Sequence, residues 1–389
     1  MIFKACINAF ILFIVSSVSA YTDAAITLTY SIENPDFTEL LTKATKQSNI
    51  ELDAKWVDQK ILKVRLIQSA ESGAKSDAII VPSDHLGMNE FVHFSEIPDS
   101  FVPIQLTPFF AGSGEVNNKR IGIPIVGGNH LVLYYNKELV DSPAPSWKEI
   151  ERQQAKGDKP IIGWSFMEMF WFIPFINAFG ESPVVAEQPN LNTSSMHQAL
   201  EFVWNLANKG IVDPSCDYAC NDERFLSQQT TYSINGMWAY NRYKQGLGDK
   251  LGVAQLPSIN GRPMKPYSTS FVLAFPNNSL DSDKKAQLYR LAQLLMQPDV
   301  QNEFWQQRVG VPVRKDIYDN ILDDAEQDAK VFLQTLANTQ AMPNTRSMMI
   351  IWEVMLKGYT RFGAQAMSAQ QTGQFMQRLA ERSIATQEE

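Results

Sequence analysis

A pair of apolar strands interrupted by two glycines most constrains the fold of this chain. Residues 121–126 and 131–135 have the β-branched and aromatic content of buried strands. Gly127, Gly128 and Asn129 separate them, and glycine permits backbone angles that other residues cannot adopt. The pattern fits either a tight hairpin in one sheet or a hinge where the chain passes between two domains.

Strand and helix patterns alternate before this segment. A strand at residues 26–30 and a buried strand at residues 78–81 flank a helix, an alternating strand and a second helix. Such a β-α-β-α-β order predicts a parallel sheet covered by helices. Ligands of these sheets bind beyond the carboxyl ends of the strands. Residues 31–33, which include Glu33, and residues 82–85 should therefore lie at one edge of a cleft.

The same alternation begins again after the glycines. Ser146 and Glu149 have the spacing of a helix capping box. A strand at residues 161–164 and an aromatic-rich helix at residues 165–179 follow, and the last third of the chain is largely helical. With 389 residues the chain is long enough for two domains, each with its own core.

The first twenty residues have the pattern of a signal peptide. Lys4 precedes an apolar stretch at residues 7–15, and small residues lead to Ala20 as a cleavage site. Serines shorten the apolar run below the length of a membrane span, and Cys6 lies too early for lipidation at the cleavage site. We expect a soluble, exported protein. Its formal net charge of −8 argues against nucleic acid as a partner.

Two cysteines remain after removal of such a signal. Cys216 and Cys220 form an even pair, which in an oxidising compartment predicts a local disulfide. A metal site is the alternative, but the four histidines are scattered along the chain. We expect no metal and no cofactor.

Four stretches carry a family resemblance. They are RIGIPIVGGNHLVLYYNKEL with a following SWKEI, YSINGMWAY at residues 232–240, VGVPVRKD at residues 309–316, and AMPNTRSMMIIW at residues 341–352. In this order they resemble the family 1 extracellular solute-binding proteins, the sugar-binding components of ABC importers.

The resemblance implies an α/β fold of two discontinuous lobes around a ligand cleft, the type II periplasmic-binding-protein architecture. It implies an N-terminal lobe of residues 21–127 plus 275–323 and a C-terminal lobe of residues 128–274 plus 324–389. It also implies a periplasmic monomer that closes by hinge bending on a carbohydrate and delivers it to a membrane permease.

The chemistry of a sugar site directs attention to aromatic and acidic residues. A flat ring covers the apolar face of a sugar, and carboxylates accept hydrogen bonds from its hydroxyls. Trp238 and Trp352 stand where the resembling family places stacking tryptophans, although a lone tryptophan is more often a core residue. The candidate ligand-binding residues are Glu33, Asp84, His85, Asn129, Glu168, Phe170, Trp238, Arg346 and Trp352.

Several of these positions leave alternatives open. Glu168 matches an acidic ligand contact, but Ser165-x-x-Glu168 is also a capping box. His85 stands where maltodextrin binders often have arginine, and Val81 replaces the tryptophan of that loop. An acidic residue of the crossover is likewise replaced by Gly128 or Asn129. These departures put maltodextrin in doubt and leave the sugar class standing.

Two other functional classes remain as alternatives. Asp84 and Arg346 could pair the charged groups of an amino acid, so a binder of amino acids, peptides or polyamines is an alternative. A glycoside hydrolase needs only two carboxylates, and Glu168 among aromatic residues could have a raised pKa. The chain has no Gly-x-Ser-x-Gly, His-Glu-x-x-His or phosphate-binding glycine loop, but the residues alone leave a pair of catalytic carboxylates open. The family resemblance implies a binding protein and not an enzyme.

Overall fold

Two separate β-sheets organise the chain in a computed structural model, which describes residues 24–72, 75–102, 104–154 and 159–388. The predicted signal peptide lies outside the described residues. The strands of the described ranges are β1 (Ile26–Tyr30), β2 (Leu52–Trp56), β3 (Ala78–Pro82), β4 (Glu115–Val116), β5 (Lys119–Arg120), β6 (Gly122–Gly128), β7 (Leu131–Asn136), β8 (Ile162–Gly163), β9 (Val184–Val185), β10 (Gln188–Pro189), β11 (Tyr232–Gly236), β12 (Leu251–Ala254), β13 (Tyr267–Ala274) and β14 (Gln340–Ala341).

Helices cover the sheets and fill the C-terminal third. They are α1 (Pro35–Gln47), α2 (Gln59–Ser72), α3 (Asn89–Val92), α4 (Trp147–Gln154), α5 (Met169–Ala178), α6 (Ser194–Asn208), α7 (Tyr218–Leu226), α8 (Tyr240–Leu247), α9 (Lys285–Leu295), α10 (Pro298–Gln306), α11 (Lys315–Asp324), α12 (Gln327–Leu336), α13 (Arg346–Gly363) and α14 (Ala369–Glu388). Within the described part of the chain, no helix has the length and apolarity needed to cross a membrane.

The larger sheet forms the first lobe. Its strands lie in the order β14-β13-β3-β1-β2. Strand β6 pairs with β13 on the side opposite β3. Strands β1, β2 and β3 are parallel, which confirms the predicted β-α-β-α-β unit. Asn34 caps α1 by accepting a hydrogen bond from the Asp36 amide at 2.9 Å, and Pro35 occupies the first turn. Apolar residues of α1, including Phe37, pack with Leu28 of β1 in the core.

The smaller sheet forms the second lobe, with strands in the order β12-β7-β11-β8. Strand β7 pairs antiparallel with β11 and β12. Both of its faces are covered: Leu131 and Leu133 pack in one core cluster, and Val132 and Tyr134 pack in another. This two-sided burial explains why the sequence of β7 is continuously apolar.

The segment with the two glycines crosses between the sheets. Strand β6 pairs with β13 in the larger sheet, whereas β7 belongs to the smaller one, so the hairpin alternative is wrong. Gly128 has a φ of +101°, and a Cβ at Gly127 would lie 2.2 Å from the ring of Phe110. Gly127 also exchanges two backbone hydrogen bonds of 2.8 Å with Val311. The backbone and its packing therefore require glycine at both positions.

The lobe boundaries inferred from the resemblance remain a proposal. Strand β13 pairs with β3 and β6 over most of its length. We therefore propose that the chain returns to the first lobe near Thr269, and not after Ala274. The third crossing is proposed between α11, which packs on α10, and α12, which packs on β12.

Helix α5 begins later than the aromatic pattern predicted. It starts at Met169 and not at Ser165, and Glu168 occupies the N-cap position without a capping hydrogen bond from its side chain. The capping-box interpretation of Ser165 and Glu168 is therefore wrong. Pro174 lies within the helix, which continues to Ala178.

Candidate functional site

A cleft of about 310 Å³ lies between the two lobes. Its first-lobe side is built by the loops that follow β1, β2 and β3. These loops meet at the carboxyl ends of parallel strands, where the strand order predicted a ligand edge. The first-lobe residues that line the cleft include Ile32, Glu33, Asn34, Asp58, Gln59, Lys60, Pro82, Asp84 and His85.

The second-lobe side is mainly aromatic. Phe170 and Trp171 lie in the first turn of α5, Tyr218 begins α7, and Trp238 follows β11 in a short 3₁₀ turn. The second-lobe residues that line the cleft include Glu168, Phe170, Trp171, Tyr218, Met237, Trp238 and Trp352.

Phe170, Trp171, Tyr218 and Trp238 form one interlocked surface, which we call the aromatic wall. The Trp171 and Trp238 rings lie edge to face with centroids 6.1 Å apart, and Phe170 lies 6.4 Å from Trp238. Trp238 donates its Nε1 hydrogen to Tyr218 Oη at 3.1 Å, and Trp171 donates to the Ile234 carbonyl at 2.8 Å. The polar edges of both indoles are thus satisfied inside the lobe.

Trp238 depends on the glycine before it. A Cβ at Gly236 would lie 1.9 Å from the Trp238 ring, so this glycine allows the indole to lie over its own backbone. Trp352 reaches the cleft from α13, with its ring centroid 6.2 Å from that of Tyr267. Trp238 and Trp352 are both half-buried and line the same cleft. Neither is sealed in a core.

Carboxylates from both lobes line the cleft. Burial raises the pKa of Glu168, and Asp58 of the other lobe adds to this effect, while a hydrogen bond with Ser165 opposes it. Burial also raises the pKa of Glu33, again with a contribution from Asp58. The positive charge of Lys60 lowers both values. Such carboxylates can accept hydrogen bonds from hydroxyl groups of a ligand.

Asp84 and His85 lie in a 3₁₀ helix directly after β3. Both are buried, and His85 Nδ1 lies 3.2 Å from Asp84 Oδ1. This contact orients the two side chains next to each other at the ligand edge. Asn129 lines the cleft at the first crossing with a φ of 41°, a conformation that asparagine tolerates better than most residues.

The structure brings together all the sequence-predicted candidates except one. Arg346 does not line this cleft: it forms an ion pair with Glu90, and its guanidinium lies 5.4 Å over the ring of Phe91. We therefore leave Arg346 out of the proposed binding set. Its position at the start of α13 directs it to the first lobe, beside the cleft.

Several lining residues were missed by sequence reasoning. Asp58 and Lys60 follow β2 at the same edge as Glu33, so the strand-end rule could have found them. Trp171 was not distinguished from its aromatic neighbours, since no periodicity separates a cleft-facing ring from a buried one. Tyr218 was missed although it lies between the two cysteines.

The predicted disulfide between Cys216 and Cys220 is confirmed, with the two Cα atoms 5.3 Å apart. It closes the chain around Tyr218 at the start of α7. The Cys216 carbonyl accepts a hydrogen bond from the Phe166 amide at 3.3 Å, which ties this loop to the segment leading to Glu168. Among the described residues, no group of three or more His, Cys, Asp or Glu side chains could hold a metal ion.

A solved structure shares this architecture. The chain is similar to the maltose/maltodextrin-binding domain MalE from Bdellovibrio bacteriovorus bound to maltotriose, with a TM-score of 0.83 and 22% sequence identity. The match covers 93% of this chain and 100% of that one. At this identity the match establishes the fold, and it confirms the predicted two-lobed α/β class.

A family model tests the resemblance carried by the four sequence stretches. The model describes the bacterial extracellular solute-binding proteins and matches residues 39–334, which include three of those stretches in full. Since this match spans well over half of the sequence, the chain belongs to the bacterial extracellular solute-binding protein family.

Proposed function

We propose that this protein captures a sugar or short oligosaccharide between its lobes and delivers it to an ABC importer. The observation that carries the proposal is the aromatic wall facing carboxylates of the opposite lobe across one cleft. The maltotriose bound by the structurally similar MalE domain supports the same ligand class. The departures at Val81, His85 and the first crossing leave the identity of the sugar open.

The two sides of the cleft suit the two kinds of surface on a sugar. A ring face buried on Trp238 contributes roughly 25 cal/mol per Å² of apolar area removed from water. Each hydroxyl buried at the same time needs a partner, since an unpaired polar group costs about 1–3 kcal/mol. Glu33, Asp58 and Glu168 supply acceptors at the rim. A micromolar dissociation constant corresponds to a binding free energy of about −8 kcal/mol. The buried apolar area and the hydrogen bonds to the hydroxyls can together provide it.

Closure of the lobes would couple binding to transport. A ligand that contacts both lobes only in the closed form shifts the population towards that form, in proportion to its differential affinity. We propose bending at Gly127–Asn129 and at the other two crossings, the kind of hinge closure for which periplasmic binding proteins are an example. The permease would then recognise the closed shape of a monomer.

Membership in an extracellular family places the protein outside the cytoplasm, in the periplasm or beyond. We propose the periplasm, after cleavage of the predicted signal peptide. The family is one of binding proteins, and we propose that the cleft carboxylates bind hydroxyls without hydrolysing glycosides.

One observation favours a second candidate ligand class. The charged lining residues are the carboxylates Glu33, Asp58, Asp84 and Glu168 against the cation Lys60. An acidic cleft with aromatic rings also suits a polyamine, because ammonium groups pair with carboxylates and lie over aromatic faces. A free amino acid is less well served, since Arg346 pairs with Glu90 outside the cleft.

A thermal-shift screen followed by calorimetry tests the proposal. The panel contains neutral mono- and oligosaccharides including maltotriose, spermidine, and free amino acids, and chromogenic glycosides serve to detect hydrolysis. We expect stabilisation by at least one neutral sugar and no release of chromophore. Stabilisation by spermidine alone would replace sugar with polyamine, and chromophore release would identify an enzyme.

A further inference from the structure

Helix α7 carries two residues with different environments on one face. Tyr218 begins the helix and belongs to the aromatic wall. Asp222 lies four residues later, so its side chain projects from the same face one turn away. The Asp222 side chain is fully buried, with 0% of its surface exposed. A buried carboxylate behind a ligand-facing tyrosine needs an explanation, because burial of a charge is costly unless it is paired.

Asp222 is held by three side chains from a different part of the lobe. Tyr243 donates its hydroxyl hydrogen to Asp222 Oδ1 at 2.5 Å, and Asn235 Nδ2 donates to the same oxygen at 3.1 Å. Arg242 Nη1 lies 2.7 Å from Oδ2. Asn235 belongs to β11, and Arg242 and Tyr243 belong to α8. Asp222 therefore ties α7 to the two elements that flank Trp238.

These contacts continue to the aromatic wall. Asn235 Oδ1 also accepts a hydrogen bond from the Gly236 amide at 2.8 Å. Gly236 is the residue over which the Trp238 ring lies, and Trp238 donates to Tyr218 Oη. These contacts thus link Asp222 to the rings of Trp238 and Tyr218 through groups that point into the lobe.

We propose that Asp222 is a positioning residue, whose buried carboxylate fixes α7 against β11 and α8 so that Tyr218 and Trp238 keep their shared edge on the cleft. The expected effect of Asp222 on ligand affinity rests on the proposed function, whereas its role in holding Tyr218 and Trp238 does not. Burial raises the pKa of Asp222, while Tyr243, Arg242 and Asn235 lower it. These partners favour the charged form that the arrangement uses.

Fluorescence of Trp238 tests the positioning without any ligand. The signal of Trp238 is obtained by subtracting the emission and acrylamide quenching of Trp238→Phe from those of the unmodified protein. For the Asp222→Asn variant, the emission and quenching of the double variant Asp222→Asn/Trp238→Phe are subtracted in the same way. We expect Trp238 to be about twofold more quenchable after Asp222→Asn, because its partner Tyr218 is no longer held. Unchanged quenching and emission in a folded variant would overturn the proposal.

Asp213→Asn is the matched control. Asp213 forms an ion pair of 2.8 Å with Arg224 of α7, and neither residue lines the cleft. This variant therefore removes an ion pair that holds the same helix as Asp222. We expect it to leave the Trp238 signal unchanged. An equal change in both variants would show that any loosening of α7 suffices, which would also overturn a specific role for Asp222.

Arg242→Gln provides a second variant in case Asp222→Asn does not fold. Arg242 is about half exposed, with 55% of its side-chain surface accessible, so its removal leaves the core packing intact. We expect a smaller change of the Trp238 signal in the same direction. If Asp222→Asn does not fold, an unchanged Trp238 signal in the folded Arg242→Gln variant would contradict the proposal.

Affinity for maltotriose separates this inference from the proposed function. If maltotriose binds the unmodified protein, we expect Asp222→Asn to weaken binding about tenfold and Asp213→Asn to leave it within about twofold. A lowered melting temperature with an unchanged dissociation constant would make Asp222 merely structural. If maltotriose does not bind at all, the choice of sugar fails while the Trp238 signal still decides the role of Asp222.

Discussion

The two sides of the cleft differ in how they are built. On the second lobe, the aromatic wall is interlocked by ring contacts, its indole hydrogens are used within the lobe, and the disulfide closes the chain around Tyr218. On the first lobe, Glu33 in the loop after β1 and Lys60 in the first turn of α2 are exposed side chains. The second lobe therefore offers a preformed surface, whereas the first lobe presents polar groups that a ligand must engage on closure.

This difference sets an expected order of events. Under the proposed function, we expect a sugar ring to lie first on the aromatic wall, whose rings are already held in place. We expect the first lobe then to close and bring Glu33 and Asp58 to the hydroxyls at the rim. Variants of the wall should therefore lower affinity most, and variants of the first-lobe rim should tune selectivity.

Trp238→Ala should have the largest effect. It removes the central ring of the wall and the donor to Tyr218. We expect a loss of at least about 2 kcal/mol, or roughly thirtyfold in affinity, for the best sugar of the panel, measured by calorimetry. Trp56→Ala is the control, because Trp56 is 48% exposed on β2 and does not line the cleft. Equal affinities of Trp238→Ala and the unmodified protein would show that the wall is not the ligand platform.

Glu168→Gln should have the next largest effect and should change the pH dependence. The pKa of Glu168 is raised by burial, so its carboxylate takes up a proton at a higher pH than an ordinary glutamate with a value of 4.5. A sugar hydroxyl that donates to the carboxylate favours the charged form. Affinity should therefore fall as the pH drops through the raised pKa.

Unliganded stability should respond to pH with the opposite sign. A raised carboxyl pKa contributes stability that is fully present below the unfolded value and lost as the pH rises through the folded value. Acidification should thus weaken binding while the Glu168 contribution to stability increases. Glu168→Gln should cost about tenfold in affinity at neutral pH and flatten both profiles, measured by calorimetry and thermal unfolding. Profiles identical to those of the unmodified protein would separate Glu168 from the ligand.

The same contrast explains what sequence reasoning could and could not reach. Strand ends of the first lobe follow from chain order, so Glu33 and the residues after β3 could be placed at the cleft from the order of strands and helices alone. Trp238 and Trp352 followed from the family resemblance. The rest of the wall depends on which ring of a buried cluster faces outward. That is decided by contacts such as Trp171 with Ile234, which are distant in sequence.

Two further features also needed tertiary information. Whether β6 and β7 form a hairpin depends on their partners β13 and β11, and the strand sequences alone fit both arrangements. Arg346 lay in a matched segment, but its ion pair with Glu90 is formed by a residue 256 positions away. Local patterns specify elements, while partners across the lobes decide which side chains meet in the cleft.

Selectivity against acidic sugars at the first-lobe rim should have an effect of intermediate size on affinity. Burial raises the pKa of both Glu33 and Glu168, and the negative charge of Asp58 adds to each shift, so we expect this charge to act on both sides of the cleft. We expect a uronic acid trisaccharide to bind about fivefold or more weakly than its neutral counterpart, with the difference shrinking at high salt. Asp58→Asn should reduce the difference in affinity between the acidic and the neutral trisaccharide. Equal affinities of the acidic and neutral sugars would show that the rim charges do not select the ligand.

The smallest effect is expected at an ion pair that joins the lobes outside the cleft. Lys63 of α2 lies 2.7 Å from Glu353 of α13, and their side chains are 39% and 57% exposed. Exposed pairs contribute about 0–1 kcal/mol, so Lys63→Ala should weaken sugar binding by less than about threefold, and only at low salt. Lys43→Ala is the matched control, because Lys43 pairs with Glu303 at 2.9 Å within the first lobe. A tenfold loss specific to Lys63→Ala would mean that closure depends on this surface contact as much as on the cleft itself.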